Sequence, residues 1–282
     1  LTSTPAFLTG KPELMIRLFA IALVALAAVA PLPAQVPDAP TLNATSYVLI
    51  DFHSGETVAA EQQDLRVEPA SITKLMTSYV VFRELAAGRL RLDDTVRISE
   101  KAWRTGGSRM FVEVDSEVAV EDLLQGVIIQ SGNDASVALA EHVAGSEAVF
   151  AQMMNAEAQR LGMTDTNYLN STGLPDPEHF TTARDVATLA RALIAEFPDY
   201  YRWYSQPEFT YNDITQQNRN LLLRRDPSVD GLKTGHTESA GYCLATSAER
   251  EGMRLVSVVM GSDSESARAS ASQALLNYGF RF

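Results

Sequence analysis

Strand-forming sequence lies at the two ends of this chain with helical sequence between them, and that order limits the folds open to it. Residues 46–51 are apolar and β-branched, His53-Ser54-Gly55-Glu56 is turn chemistry, and residues 57–60 read as a short returning strand. Helical patterns follow at 69–87, where Gly88 ends the run, at 120–129, and at 134–143 and 148–161, each closed by a glycine, Gly145 or Gly162. Residues 92–99 read as a loop with a short extended piece, and residues 164–180 as a polar loop with Gly173, Pro175 and Pro177. Thr181 or Thr182 caps a further helix over 183–196. Beyond it, the runs 208–212, 230–233, 241–248 and 254–260 read as strands and residues 263–276 as a closing helix. This order predicts an α/β (α+β) fold: an antiparallel sheet built from both chain ends, covered by helices, with the middle of the chain as a helical lobe. A cleft between lobe and sheet is the expected place for a site. Residues 35–282 read as one domain without internal repeats.

Three short segments carry chemistry on this frame: Ser71-Ile72-Thr73-Lys74, Ser131-Gly132-Asn133 and Lys233-Thr234-Gly235. The first puts a hydroxyl and an amine at i, i+3, on one face of a helix. A serine so placed is a candidate nucleophile with lysine as its base, without histidine. Ser71 at a helix start gains from the N-terminal dipole. Lys74 accepts its proton only if its own pKa is lowered, by burial and by a neighbouring cation, for which Lys233 is the expected source. Ser131 is placed to relay a proton between Lys74, Lys233 and a leaving amine, and Asn133 to hydrogen-bond a substrate amide. Lys233 and Thr234 begin a strand whose edge can pair with an extended peptide, and they suit a terminal carboxylate. Gly235 lets a substrate backbone come close. The backbone N–H groups of Ser71 and His236 are natural oxyanion donors, and the His236 ring serves as acid/base or as a structural or substrate contact.

Composition narrows the partners. With a formal net charge of −12 and no Lys/Arg cluster, the chain is not a nucleic-acid binder. Cys243 is the only cysteine and lies in an apolar run, so it reads as buried filler, not a nucleophile. His53, His142, His179 and His236 show no zinc spacing, and neither metal nor cofactor is expected. Met15-Ile16-Arg17, the apolar run 18–30 and the small residues before Gln35 read as a secretory signal, with the true start at Met15 and cleavage near Ala34. That apolar run is short for a membrane span of about 20 residues.

The three segments, in this order, resemble the active-site triplet of penicillin-binding proteins and serine β-lactamases. Pro69 to Thr77, Ser131-Gly132-Asn133-Asp134-Ala135, Asn218-Arg219-Asn220 and Asp230 to Thr237 are similar to the secreted D-alanyl-D-alanine carboxypeptidases, the low-molecular-mass penicillin-binding proteins. Ala240-Gly241-Tyr242 and Leu276 to Phe280 extend the resemblance to the chain end. It implies a β-lactamase/transpeptidase-like fold, Ser71 as acyl-enzyme nucleophile, Lys74 as proton acceptor, Ser131 as third catalytic residue and Lys233 as substrate-binding cation. Arg268 matches an arginine that binds the substrate carboxylate. The resemblance further implies a stem peptide ending in D-Ala-D-Ala as substrate and β-lactams as covalent inhibitors. The expected setting is the periplasm or the outer face of the inner membrane, in peptidoglycan synthesis and remodelling.

Three other readings share parts of the pattern. A class A β-lactamase needs a deacylating glutamate of E-x-x-L-N type, whereas the loop 170–180 holds only Glu178, and its second motif is S-D-N where this chain has S-G-N. A D-alanyl-D-alanine endopeptidase shares all three motifs. A non-catalytic module binding wall peptide or penicillin would have a broken triplet, and here the triplet is intact. Many members continue past this point into a small β-rich domain and an amphipathic membrane anchor. This chain ends at Phe282. It is therefore expected to be either a fragment or a form with the catalytic domain alone, and peripheral membrane association is expected only where such an anchor follows.

Overall fold

The computed structural model describes residues 1–4 and 37–282. The expected start at Met15, the apolar leader and the cleavage point near Ala34 lie outside the described residues. Ala39–Phe282 forms one compact unit. Its strands are β1 (Ser46–Asp51), β2 (Thr57–Glu61), β3 (Thr95–Arg97), β4 (Glu117–Ala119), β5 (Glu208–Tyr211), β6 (Ile214–Gln217), β7 (Val229–Thr237), β8 (Gly241–Arg250) and β9 (Met253–Ser262). The longer helices are α1 (Lys74–Ala86), α2 (Val120–Gln125), α3 (Asn133–Ala144), α4 (Glu147–Leu161), α5 (Ala183–Glu196) and α6 (Glu265–Gly279). Local chemistry sets their ends. The Thr182 hydroxyl caps α5 by accepting from the Asp185 N–H, and Gly145 and Gly162 close α3 and α4 in the left-handed conformation.

Five strands form one antiparallel sheet in the order β2-β1-β9-β8-β7, so the two chain ends meet where β1 pairs with β9. Both faces of the sheet are covered. Tyr47 and Leu49 of β1 pack with Leu244, Leu255 and Val259 against Leu275 and Leu276 of α6. Val48 and Ile50 point the other way, into a core shared with Leu75, Met76, Tyr79 and Phe82 of α1 and with α5. A strand buried on both faces has no polar side to show, which explains the apolar run of residues 47–50 inside β1. β7 lies at the sheet edge.

Three expectations need correction. The strand expected at 208–212 does not join the main sheet; it pairs with β6 in a separate hairpin. Asn212 and Asp213 both adopt positive φ, 46° and 61°, the two-residue turn that such hairpins favour, and this Asn-Asp pair was the available signal. The helix expected over 120–129 is α-helical only to Gln125 and widens into a π turn over Gly126–Gln130. Lys233-Thr234-Gly235 lies in the middle of a nine-residue strand, not at its start.

Candidate active site

Ser71 sits in a 3₁₀ turn, Ala70–Thr73, that runs directly into α1. The turn is held from two sides. β7 crosses it so closely that a Cβ on Gly235 would lie 3.1 Å from the Pro69 carbonyl oxygen and 3.2 Å from Ile72 N. Gly235 therefore serves the packing of strand on turn, a second role beside the substrate approach expected from sequence, and it also lines the cleft. On the other side Gly173, at φ 84°, packs so near Ala70 that a Cβ there would collide with the Ala70 carbonyl oxygen. Ala70 itself is left-handed, with φ 47°, a conformation an alanine adopts only when its surroundings impose it.

Lys74 is fully buried. Its Nζ makes three hydrogen bonds: 2.7 Å to Asn133 Oδ1, 2.6 Å to the Thr172 carbonyl oxygen and 3.1 Å to Ser71 Oγ. An ammonium has three protons and a neutral amine has two plus a lone pair. The amide and peptide oxygens can only accept, so they hold two protons in either state. The third position faces the one partner able to give or take a proton, the Ser71 hydroxyl. Burial, and secondarily the charge of Arg219, lowers the Lys74 pKa to about 7, against an opposing pull from Asp134. The neutral amine is thus accessible near neutral pH. Arg219, which sequence reasoning did not name for this role, acts on Lys74, and Lys74 and the expected cation Lys233 disfavour each other's charge.

Lys233 is buried as well, 2% exposed, with Nζ donating to its neighbour's carbonyl, Thr234 O, at 3.0 Å. Burial lowers its pKa well below the usual lysine value, and the charges of Lys74, Arg219 and Arg268 lower it further. Ser131, left-handed at φ 69°, ends the π turn on the cleft wall. Asn133 lines the cleft; its Oδ1 accepts from Lys74, and Nδ2 donates one of its two protons to Gly106 O at 2.7 Å. Arg268, on α6, is 5% exposed and donates from Nη1 to Gly235 O at 3.1 Å, so it belongs to the site and not to the surface. His236 is exposed and stacks on Tyr242, ring centroids 4.0 Å apart. Thr234 and Gly235 line the same cleft.

These residues converge on a cleft of about 380 Å³ between sheet edge and helical lobe. Its lining carries Arg219 and Arg268 against a single carboxylate, Glu265, with the two buried lysines behind them. In a chain of net charge −12 this is a local positive well, suited to an anionic ligand. A larger hollow of about 560 Å³ beside β1 and α5 contains none of the motif residues. Every site residue expected from sequence is brought to one place. Two participants were missed. Arg219 is delivered by its buried neighbours Asn218 and Asn220, whose side chains bond surrounding backbone, and the signal was an arginine between two asparagines. The Thr172 carbonyl is a backbone group and left no signal.

Comparison with known proteins agrees with this geometry. The family model described as D-alanyl-D-alanine carboxypeptidase matches residues 33–264. The D-alanyl-D-alanine carboxypeptidase DacC of Escherichia coli (strain K12) is 46% identical over 255 residues, 88% of this chain and 64% of that protein. The chain thus spans a little under two thirds of that curated relative. Penicillin binding protein 5 from Haemophilus influenzae superposes with a TM-score of 0.85 at 44% identity, over 87% of this chain and 73% of that one. Penicillin-Binding Protein D2 from Listeria monocytogenes, solved in its ampicillin-bound form, does so with a TM-score of 0.79 at 28% identity, over 86% and 100%. A sheet closed from both chain ends, a serine and lysine one turn apart and these matches make the chain a member of the D-alanyl-D-alanine carboxypeptidase family, with the penicillin-binding-protein fold.

Proposed function

We propose that the protein is a serine-type D-alanyl-D-alanine carboxypeptidase that removes the terminal D-Ala from peptidoglycan stem peptides. The observation that carries this reading is the 3.1 Å contact between Ser71 Oγ and a buried Lys74 amine whose pKa is lowered to about 7. Neutral Lys74 takes the Ser71 proton as Oγ attacks the carbonyl of the penultimate D-Ala. The C–N bond breaks, and the proton passes through Ser131 to the leaving amine of the last D-Ala. Water then hydrolyses the ester, returning the proton to Ser71 and releasing the shortened peptide. Lys233, Thr234 and Arg268 hold the terminal carboxylate, which fits a cleft with two arginines and one acid. His236 contacts the substrate at the rim. Asn133 acts by holding Lys74. β-Lactams, which carry a carboxylate beside a reactive amide, acylate the same serine. The enzyme acts outside the cytoplasmic membrane after cleavage near Ala34.

The test is labelling with a fluorescent penicillin, mass mapping of the adduct, and assay of D-Ala released from a D-Ala-D-Ala peptide. An adduct on Ser71, lost together with D-Ala release in Ser71→Ala, is expected. An adduct on another serine would overturn the assignment. Faster cleavage of a D-alanyl cross-linked dimer than of the linear peptide would assign an endopeptidase instead. Amino-terminal sequencing of envelope protein tests export, and a mature chain still beginning at Leu1 or Met15 would refute it.

A further inference from the structure

The Thr172 carbonyl reaches Lys74 from a long loop, residues 164–182, and something must hold that loop against the serine turn. Several side chains do so: Thr77 Oγ1 donates to the Ser171 carbonyl oxygen at 2.7 Å, Asn155 bonds both backbone groups of Tyr168, and Asp185 accepts from the Asp165 N–H and the Thr166 hydroxyl, while Glu147 and His179 join them. Glu147, at the start of α4, accepts from the Ser171 N–H at 3.1 Å and from the Ser171 hydroxyl at 2.8 Å, while its other oxygen pairs with Lys101 at 2.8 Å. His179 reaches the motif itself. Its ring is 1% exposed; Nδ1 accepts from the Leu169 N–H at 3.1 Å, and Nε2 lies 2.9 Å from Oγ1 of Thr73, between Ser71 and Lys74 in sequence. A ring nitrogen that accepts from an amide carries no proton. The neutral ring therefore has its proton on Nε2 and donates it to Thr73. The Tyr168 ring meets its edge.

We propose that His179 is a positioning residue of the acylation site, a neutral Nε2–H clamp that ties the 164–182 loop to the Thr73 hydroxyl and so keeps the Thr172 carbonyl on Lys74. This rests on the reading of Lys74 as the base. The burial of His179 supports it: desolvation lowers the ring's pKa to about 4, although Asp176 and Glu147, the charged groups that act on it, pull the other way. The ring stays neutral at working pH, and the clamp keeps both bonds. Releasing the clamp admits water to Lys74, and burial is the main reason that lysine is a base near neutrality.

The experiment compares wild type, His179→Ala, His179→Gln and Thr73→Val, following acylation by a fluorescent penicillin from pH 5 to 9, with thermal melts to count folded protein. His179→Ala and Thr73→Val should lower acylation at pH 7 by about 10- to 100-fold, the effect of a misplaced catalytic group. They should also move the midpoint of the ascending limb upward by about one unit. His179→Gln, whose amide can still donate to Thr73, should recover most of the rate. A midpoint left in place by both His179→Ala and Thr73→Val would overturn the proposal, because lost stability alone does not move it. Nitrogen NMR of the wild-type histidines gives a readout independent of activity. A neutral His179 with its proton on Nε2 is expected at pH 7, and the Nδ1–H tautomer or a charged ring would overturn the clamp. If the Ser71→Ala variant were still labelled, the functional reading would fail while the NMR result on His179 stood.

Discussion

Arg219 offers the sharpest test of how this site makes a base. Lysine has an ordinary pKa of 10.5, and in Lys74 it is lowered to about 7. At pH 7 an unperturbed lysine would be neutral in about 1 molecule in 3,000, against about 1 in 2 here. Burial is the larger cause and Arg219 the second, with Asp134 pulling the other way. Arg219→Ala should then raise the Lys74 pKa by about one unit. The neutral fraction at pH 7 would drop from about 1/2 to about 1/11, a loss of about fivefold in acylation rate, and the loss should vanish above about pH 9, where the amine is neutral in both proteins. Stopped-flow acylation by a fluorescent penicillin, from pH 5 to 10, reads both the midpoint and the limiting rate. A midpoint that stays put or moves down would refute the electrostatic role. A loss of equal size at every pH would show that Arg219 acts on the ligand and not on Lys74.

Other outcomes follow from the same geometry. Gly173→Ala places a methyl on the Ala70 carbonyl at a positive φ, and should destabilise the protein by more than about 2 kcal/mol in urea unfolding or shift the serine turn enough to stop acylation; a variant with wild-type stability and rate would show that the loop yields. Asn133→Ala takes away one of the two fixed acceptors of Lys74 and should slow acylation by about 10²-fold or more, with the residual rate rising more steeply with pH; an unchanged rate would return Asn133 to the substrate. Lys233→Ala should lose most activity on peptides with a free terminal carboxylate, roughly one or two decades, and less on the amidated peptides, and equal losses on both would mean that Lys233 serves Lys74 instead. The pKa of His179 is lower folded, about 4, than unfolded, 6.5, so the unfolded chain takes up the proton first: its contribution to stability is full above pH 6.5 and is lost as pH falls toward 4, by up to about 3 kcal/mol. Urea unfolding at pH 7 and pH 4.5 should show a smaller difference in His179→Gln than in wild type, and identical pH dependence would show that the ring titrates normally.

Local chemistry made much of this molecule legible before any coordinates. Helix ends follow from Thr182, Gly145 and Gly162, because caps and left-handed glycines act over one turn. The serine–lysine pairing follows from helical spacing, and the sheet joining both ends follows from the order of periodic segments. The hairpin at 208–217 and the π turn at Gly126–Gln130 were not read, although the Asn212-Asp213 turn was a local signal for the first. What tertiary structure alone decided is the character of the site. Lys74 takes its acceptors from 59 and 98 residues away, Asn133 and the Thr172 carbonyl, and the second is a backbone oxygen that no side-chain pattern reveals. Gly235 is required by a strand crossing the serine turn, and Arg219 acts through a field that exists only once the lobe and the sheet have met. Sequence sets which groups are present and which faces they share over a turn or two. The pKa of an amine depends on the water excluded from it and the charges around it, and both are properties of segments packed together from distant parts of the chain.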